Sequence, residues 1–219
     1  GEYILNKICE DGFTHYEQSV RIVEVLEKDG RGLNLTWEVR DGIRNHRTSG
    51  HPSTLEGAIV RLSDKIAYIN HDIDDAIRAR MFTEHELPRV YTGVLGHSVR
   101  ERLNNMIHDI ILNSMDKPAI TMSEGMEEAM QGLRKWMFDN VYKNDIPKAE
   151  EGKAQNMIIQ LYEYYMGHVD KLPVEYVLLM VNKGEKKSRV VCDYIAGMSD
   201  IYAIDQFEEL FVPKRWNVY

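Results

Sequence analysis

Residues 56–80, EGAIVRLSDKIAYINHDIDDAIRAR, decide most of what this chain can become. Leu55, Ile59, Leu62, Ile66, Ile69, Ile73 and Ile77 recur three or four apart, the period of an α-helix. At roughly 100° per residue they fill an arc about 80° wide. Arg61, Asp64, Lys65, Tyr68, Asp72 and Asp75 occupy a separate arc about 100° wide. Gly57, Ala58, Ala67 and Ala76 are small enough to let neighbouring helices approach. The helix therefore offers an aliphatic stripe to a core and a band of acids, bases and a phenol to something else. A charged band on an arbitrary helix usually meets only water. The small residues, and a tyrosine set between two aspartates at four-residue spacing, point instead to a covered face with chemical use.

The rest of the chain supplies a core to match. At 219 residues, 43% hydrophobic and 28% charged, it suits one large or two small globular domains. A net charge of −8 gives no general attraction to nucleic acid or anionic membrane, so an anionic ligand needs a local basic cluster. Cys9 and Cys192 stand far apart in sequence and make no disulfide framework; a reducing cytoplasm and burial as small hydrophobes are expected for both. No run approaches 18 apolar residues, and the opening GEYILNK lacks the basic and apolar regions of a signal peptide. The chain does not open with Met and is expected to be a piece of a longer protein.

Taken in order, residues 2–9 read as the end of a helix broken by Gly12. Thr14 is an N-cap with Glu17 in a capping-box arrangement, opening a helix over about 15–28 with Val20, Val23 and Leu26 inward. Asn34 or Thr36 caps the next, which carries Leu35, Val39 and Ile43 to about His46. Residues 47–54 are a polar loop. Residues 81–97, with Pro88, Gly93 and Gly96, form a connector. Residues 98–114 are amphipathic, with Val99, Leu103, Ile107 and Ile110 or Ile111 inward. Ser123 starts a helix through Met126, Met130, Leu133 and Met137. Residues 143–148 are a loop, residues 150–166 a helix, and Pro173 opens a short apolar helix. A basic turn at 183–187 precedes a last helix over 188–210, stopped by Pro213. Every long segment carries the helical period, so the fold class is all-α: a bundle with a C-terminal helical extension.

Asp64, Tyr68 and Asp72 share one helix face, with Lys65 beside them. A carboxylate there suits a divalent cation, an ammonium suits phosphate, and a phenol donates to an oxygen. One carboxylate is not a metal site, so other ligands must come from elsewhere. His15 opens a helix, where free N–H groups favour anions; a histidine simply hydrogen-bonded near a helix end reads equally well. The dipeptides His71-Asp72 and His108-Asp109 do not converge on one point, because adjacent helical residues diverge by about 100°. His108-Asp109 is expected to face solvent. No glycine-rich phosphate loop, Cys-x-x-Cys or His-Glu-x-x-His occurs.

Four segments carry a family resemblance: HYEQSVRIVEVLE (15–27), GLNLTWEVRDGIRNH (32–46), STLEGAIVRLSDKIAYINHDIDDAIRA (53–79) and VCDYIAGMSDIYA (191–203). Together and in this order they resemble bacterial deoxyguanosine triphosphate triphosphohydrolases of the HD-domain superfamily. The resemblance implies hydrolysis of dNTPs, dGTP foremost, to deoxynucleoside and inorganic triphosphate. It implies a divalent metal such as Mg2+ or Mn2+, a homo-oligomer and a cytoplasmic setting. It assigns Asp64 to the metal, Lys65 and Tyr68 to the phosphates, Asp72 to the sugar 3′-hydroxyl and His15 to the leaving group. Arg61 lies near enough to join Lys65. Tyr194 and Asp200 line the nucleoside pocket or pack beneath it.

The family's first His and its His-Asp dipeptide fall upstream of Gly1. Residues 1–115 then correspond to the C-terminal part of an HD-type catalytic domain, and 116–219 to a helical region packing on it. The 219 residues alone are expected to bind metal weakly and to lack hydrolysis. A non-catalytic nucleotide-binding or regulatory module is the alternative, and a purely structural oligomerisation domain leaves the polar arc unexplained.

Overall fold

Helix-forming periodicity carries through nearly the whole chain. The computed structural model describes residues 1–142 and 145–214, with side chains for 1–141 and 150–214. Every regular element among them is helical, and none is a strand. In order these are α1 (Glu2–Ile8), α2 (His15–Arg21), α3 (Trp37–Arg44), α4 (Leu55–Arg78), α5 (Arg89–Leu95), α6 (Val99–Ser114), α7 (Glu124–Met137), α8 (Asp145–Gly167), α9 (Val174–Lys183), α10 (Lys187–Ala196) and α11 (Asp200–Phe211), joined by short 3₁₀ and π turns. Among the described residues no helix is long and apolar enough to cross a membrane. The contacts group the chain into two units, residues 1–34 with 149–219 and residues 35–148.

In the first unit the helix expected over 15–28 is interrupted. It is α-helical to Arg21, widens into a π-turn over Ile22–Leu26, and breaks where Lys28, Asp29 and Gly30 all have positive φ. Gly32 closes the break: a Cβ there would lie 2.2 Å from the Glu24 carbonyl oxygen, so no side chain fits. The expected capping box does not form either. The Thr14 hydroxyl donates to Glu17 at 2.7 Å instead of accepting from the backbone. The helix expected over 188–210 is two helices, because Gly197 ends α10 and the Ser199 hydroxyl caps α11 by accepting from Tyr202 N–H.

The core of this unit joins Leu5, Phe13, Leu161, Tyr165, Val190 and Val191. Cys9 and Cys192, distant in sequence, are buried in that same core. The Cys9 thiol points at the Ser188 carbonyl, one turn before Cys192 on α10. Burial and the neighbouring Cys9 push the Cys192 thiol well above the ordinary thiol value. Fully buried Asp193 accepts from Arg21 Nη2 at 2.8 Å, Gln18 Nε2 at 2.9 Å and Arg189 Nη2 at 3.0 Å. Burial works against the Arg21 guanidinium, but Asp193 and Glu185 outweigh it and raise its pKa.

The second unit packs α4, α6 and α7. Ile66, Ile69 and Ile73 meet Met106 and the expected Met126, Met130, Leu133 and Met137 of α7. The stripe on α4 is buried only over this stretch, whereas Leu55 and Ile59 lie outside it and stay about half exposed. At its start Thr54 caps α4 by accepting from Gly57 N–H at 3.1 Å. The connector expected over 81–97 contains α5, opened by Pro88 and closed by Gly96.

Helix α6 keeps only part of the inward face its apolar pattern predicts, with Leu103 and Ile110 packed against the core. Val99, Ile107 and Ile111 are exposed, and Arg102 and Met106 are fully buried. Arg102 is held by Asn70 of α4 at 2.9 Å and by the Glu84 carboxylate, and those two partners decide the rotation of the helix. Asp109, expected in solvent, accepts from the Ser123 N–H at 2.8 Å and hydroxyl at 2.6 Å and so anchors the start of α7. Of the loop expected at 143–148, residues 143 and 144 lie outside the described residues. Helix α8 already runs from Asp145, because Pro147 falls in its first turn, where a missing N–H is no loss.

Candidate functional site

Helix α4 carries the polar arc as a rigid row. Asp64 and Tyr68 are exposed, and Arg61, Lys65 and Asp72 are half-buried. Thr54 fixes where the helix begins, and the buried Ile66, Ile69 and Ile73 fix its rotation, which turns the arc away from the core.

Around Arg61 and Lys65 the structure gathers positive charge. Arg61 Nη2 donates to the Thr48 carbonyl at 2.8 Å, and among the described residues its buried Nε has no hydrogen-bond partner. Arg134 of α7 reaches the same residue, its Nη1 donating to the Thr48 hydroxyl at 3.2 Å. The Lys65 ammonium is lowered from its ordinary value, first by burial and then by the charge of Arg61; Arg134 adds to this and Glu127 opposes it. Two arginines thus act on Lys65, with the Glu127 carboxylate acting against them. Charges so placed repel and gain from a polyanion that fits between them. Arg134 was not among the sequence candidates. It lies on the polar side of a helix whose apolar side is plainly core, and only the fold brings it to Thr48.

His15 belongs to the other unit. Its Nδ1 lies 2.8 Å from Glu2 Oε2, and its backbone N–H donates to Glu2 Oε1 at 3.3 Å. Glu2 thus holds the imidazole ring through Nδ1. Glu2 was also not a sequence candidate; a carboxylate thirteen residues upstream carries no periodic signal. Tyr194 is buried, with its hydroxyl 3.0 Å from that of Tyr202, and Asp200 is exposed in the first turn of α11.

Among the described residues no three His, Cys, Asp or Glu side chains converge on a metal-sized site. Asp64 offers one exposed carboxylate, and the residues present do not by themselves fit a divalent metal.

A profile describing a phosphohydrolase-associated domain matches residues 120–209. A deoxyguanosinetriphosphate triphosphohydrolase-like protein of Caldanaerobacter subterraneus subsp. tengcongensis is 51% identical over 99% of this chain and 63% of its own length. A protein of the same name from Clostridium perfringens strain SM101 is 40% identical over 98% of this chain and 65% of its own. One from Geobacter sulfurreducens is 32% identical over 97% of this chain and 69% of its own. The chain therefore spans about two thirds of the length of the relatives it matches.

Proposed function

We infer the function from kinship: this chain belongs to the family of deoxyguanosinetriphosphate triphosphohydrolase-like proteins. It is the greater part of a phosphohydrolase that converts dNTPs, dGTP foremost, to deoxynucleoside and inorganic triphosphate. What supports the reading most is the cation cluster of Arg61, Lys65 and Arg134, with its depressed lysine and unpaired Arg61 Nε.

In this reading Arg61, Lys65 and Arg134 hold the triphosphate and balance the charge that gathers on it as the P–O5′ bond breaks. The Tyr68 hydroxyl donates to a phosphate oxygen, and Asp72 accepts from the sugar 3′-hydroxyl. His15 is assigned to the leaving group by the family resemblance: carrying a second ring proton on Nε2, with Nδ1 held by Glu2, it would protonate the departing 5′-oxygen as water attacks the α-phosphorus. Asp64 would contribute one carboxylate to a divalent metal that would supply an activated water, with the other ligands coming from the part of the family's length that this chain does not span. The match of residues 120–209 supports reading 116–219 as the associated region; residues 1–115 are proposed as part of the catalytic domain. The whole protein is proposed as a homo-oligomer of the cytoplasm.

The test is release of inorganic triphosphate from dGTP with Mn2+ or Mg2+, by the whole protein and by residues 1–219. The expected result is turnover by the whole protein, its loss in Lys65→Met, and binding of triphosphate without turnover by the 219-residue chain. Binding without turnover by both would make the protein a nucleotide-binding or regulatory module.

A further inference from the structure

We propose that Thr48 is a positioning residue that sets Arg61 and Arg134 for a phosphate chain while leaving their charge unspent. The proposal rests on the reading of the cation cluster as a phosphate site.

Thr48 lies in a loop that is fixed without the help of its side chain. Asp41 of α3 accepts from the Ser53 N–H at 2.7 Å and from Asn45 Nδ2 at 2.9 Å. The Gly50 N–H closes a turn onto the Arg47 carbonyl at 2.9 Å. Gly50 itself presses on Asn45, so that a Cβ there would come within 2.3 Å of the Asn45 oxygen. Thr48 is thus held at the head of an anchored turn. It offers its carbonyl oxygen to Arg61 at 2.8 Å and its hydroxyl to Arg134 at 3.2 Å.

The two arginines come from α4 and α7, and both lower the Lys65 ammonium. Left alone, like-charged side chains swing apart into water. A long side chain also loses up to about 2 kcal/mol of rotamer freedom when it is fixed. A carboxylate anchor would hold the arginines but would compete with the ligand for the same charge. Thr48 presents only neutral dipoles. It orients both guanidinium groups before a ligand arrives and leaves their net charge for the anion.

The experiment titrates inorganic triphosphate into residues 1–219 by calorimetry at low ionic strength. The variants are Thr48→Val, which keeps the shape and removes the hydroxyl, and Thr48→Ser, which keeps the hydroxyl. Thr48→Val is expected to weaken binding about three- to tenfold with helicity and unfolding midpoint unchanged. Thr48→Ser is expected to stay within about twofold of the parent. In an Arg134→Ala background Thr48→Val is expected to add nothing, a coupling that a merely structural threonine would not show. Unchanged affinity in Thr48→Val, with weakened binding in Arg61→Ala and Arg134→Ala, overturns the role of Thr48 and leaves the phosphate site standing. No binding by the parent chain, or no loss in Arg61→Ala, Lys65→Met and Arg134→Ala, overturns the site itself.

Discussion

Gly42 of α3 and Gly57 of α4 meet backbone to backbone: a Cβ added to Gly57 would lie 3.4 Å from the Gly42 Cα and 2.7 Å from the Pro52 Cβ. The contact lets α3 lie against the start of the helix that carries the polar arc. The pair is not symmetric, since a Cβ on Gly42 would meet only the Gly57 Cα at an ordinary 3.5 Å. Gly57→Ala is therefore expected to cost about 1–3 kcal/mol, because the proline ring cannot yield. Gly42→Ala is expected to be neutral or stabilising by up to about 1 kcal/mol through helix propensity. Urea unfolding of the two variants separates these outcomes.

Asp193 collects three cationic or amide donors in a site closed to water. Asp193→Ala leaves Arg21 and Arg189 without their buried counter-charge. The expected loss is about 3–5 kcal/mol, measured as a fall in the denaturant midpoint of the first unit. A change below 1 kcal/mol would mean that the two arginines find water on substitution.

Lys65 gives a pH signature with a definite sign. Its folded-state pKa lies below the ordinary 10.5, so between the two values the unfolded chain binds more protons. Stability therefore rises with pH across that window, and the penalty from the charged lysine is fully present below it. Lys65→Met is expected to raise the unfolding midpoint at pH 7 by roughly 1–2 °C and to weaken triphosphate binding. The thermal gain shrinks as the pH approaches 10.5. A loss of stability at pH 7 would contradict the sign.

Gly132 lies under an aromatic ring: a Cβ there would fall 2.2 Å from Tyr91 Cε1. Gly132→Ala is expected to displace Tyr91 and loosen α5 from α7, at a cost of about 1–2 kcal/mol despite the gain in helix propensity. Near-ultraviolet circular dichroism reports the tyrosine, and an unchanged spectrum with unchanged stability would refute the clash.

The all-α class, the long helix α4 and the start of α7 at Ser123 were legible in the sequence alone. These follow from short-range terms: a period of 3.6, and a side-chain oxygen within reach of an N–H three residues on. The pattern misled at α6, where period alone favours Val99 and Ile107 but the fold buries Arg102. Asn70 and Glu84 make that burial tolerable, and both lie on other elements. The same limit applies at the site. Arg61, Lys65, Tyr68 and Asp72 share one helix, so their common side could be read from spacing. Arg134 meets Thr48 across 86 residues, and Cys9 shares a core with Cys192. Such meetings are settled by which faces pack together, a long-range sum of burial and pairing that no local window contains.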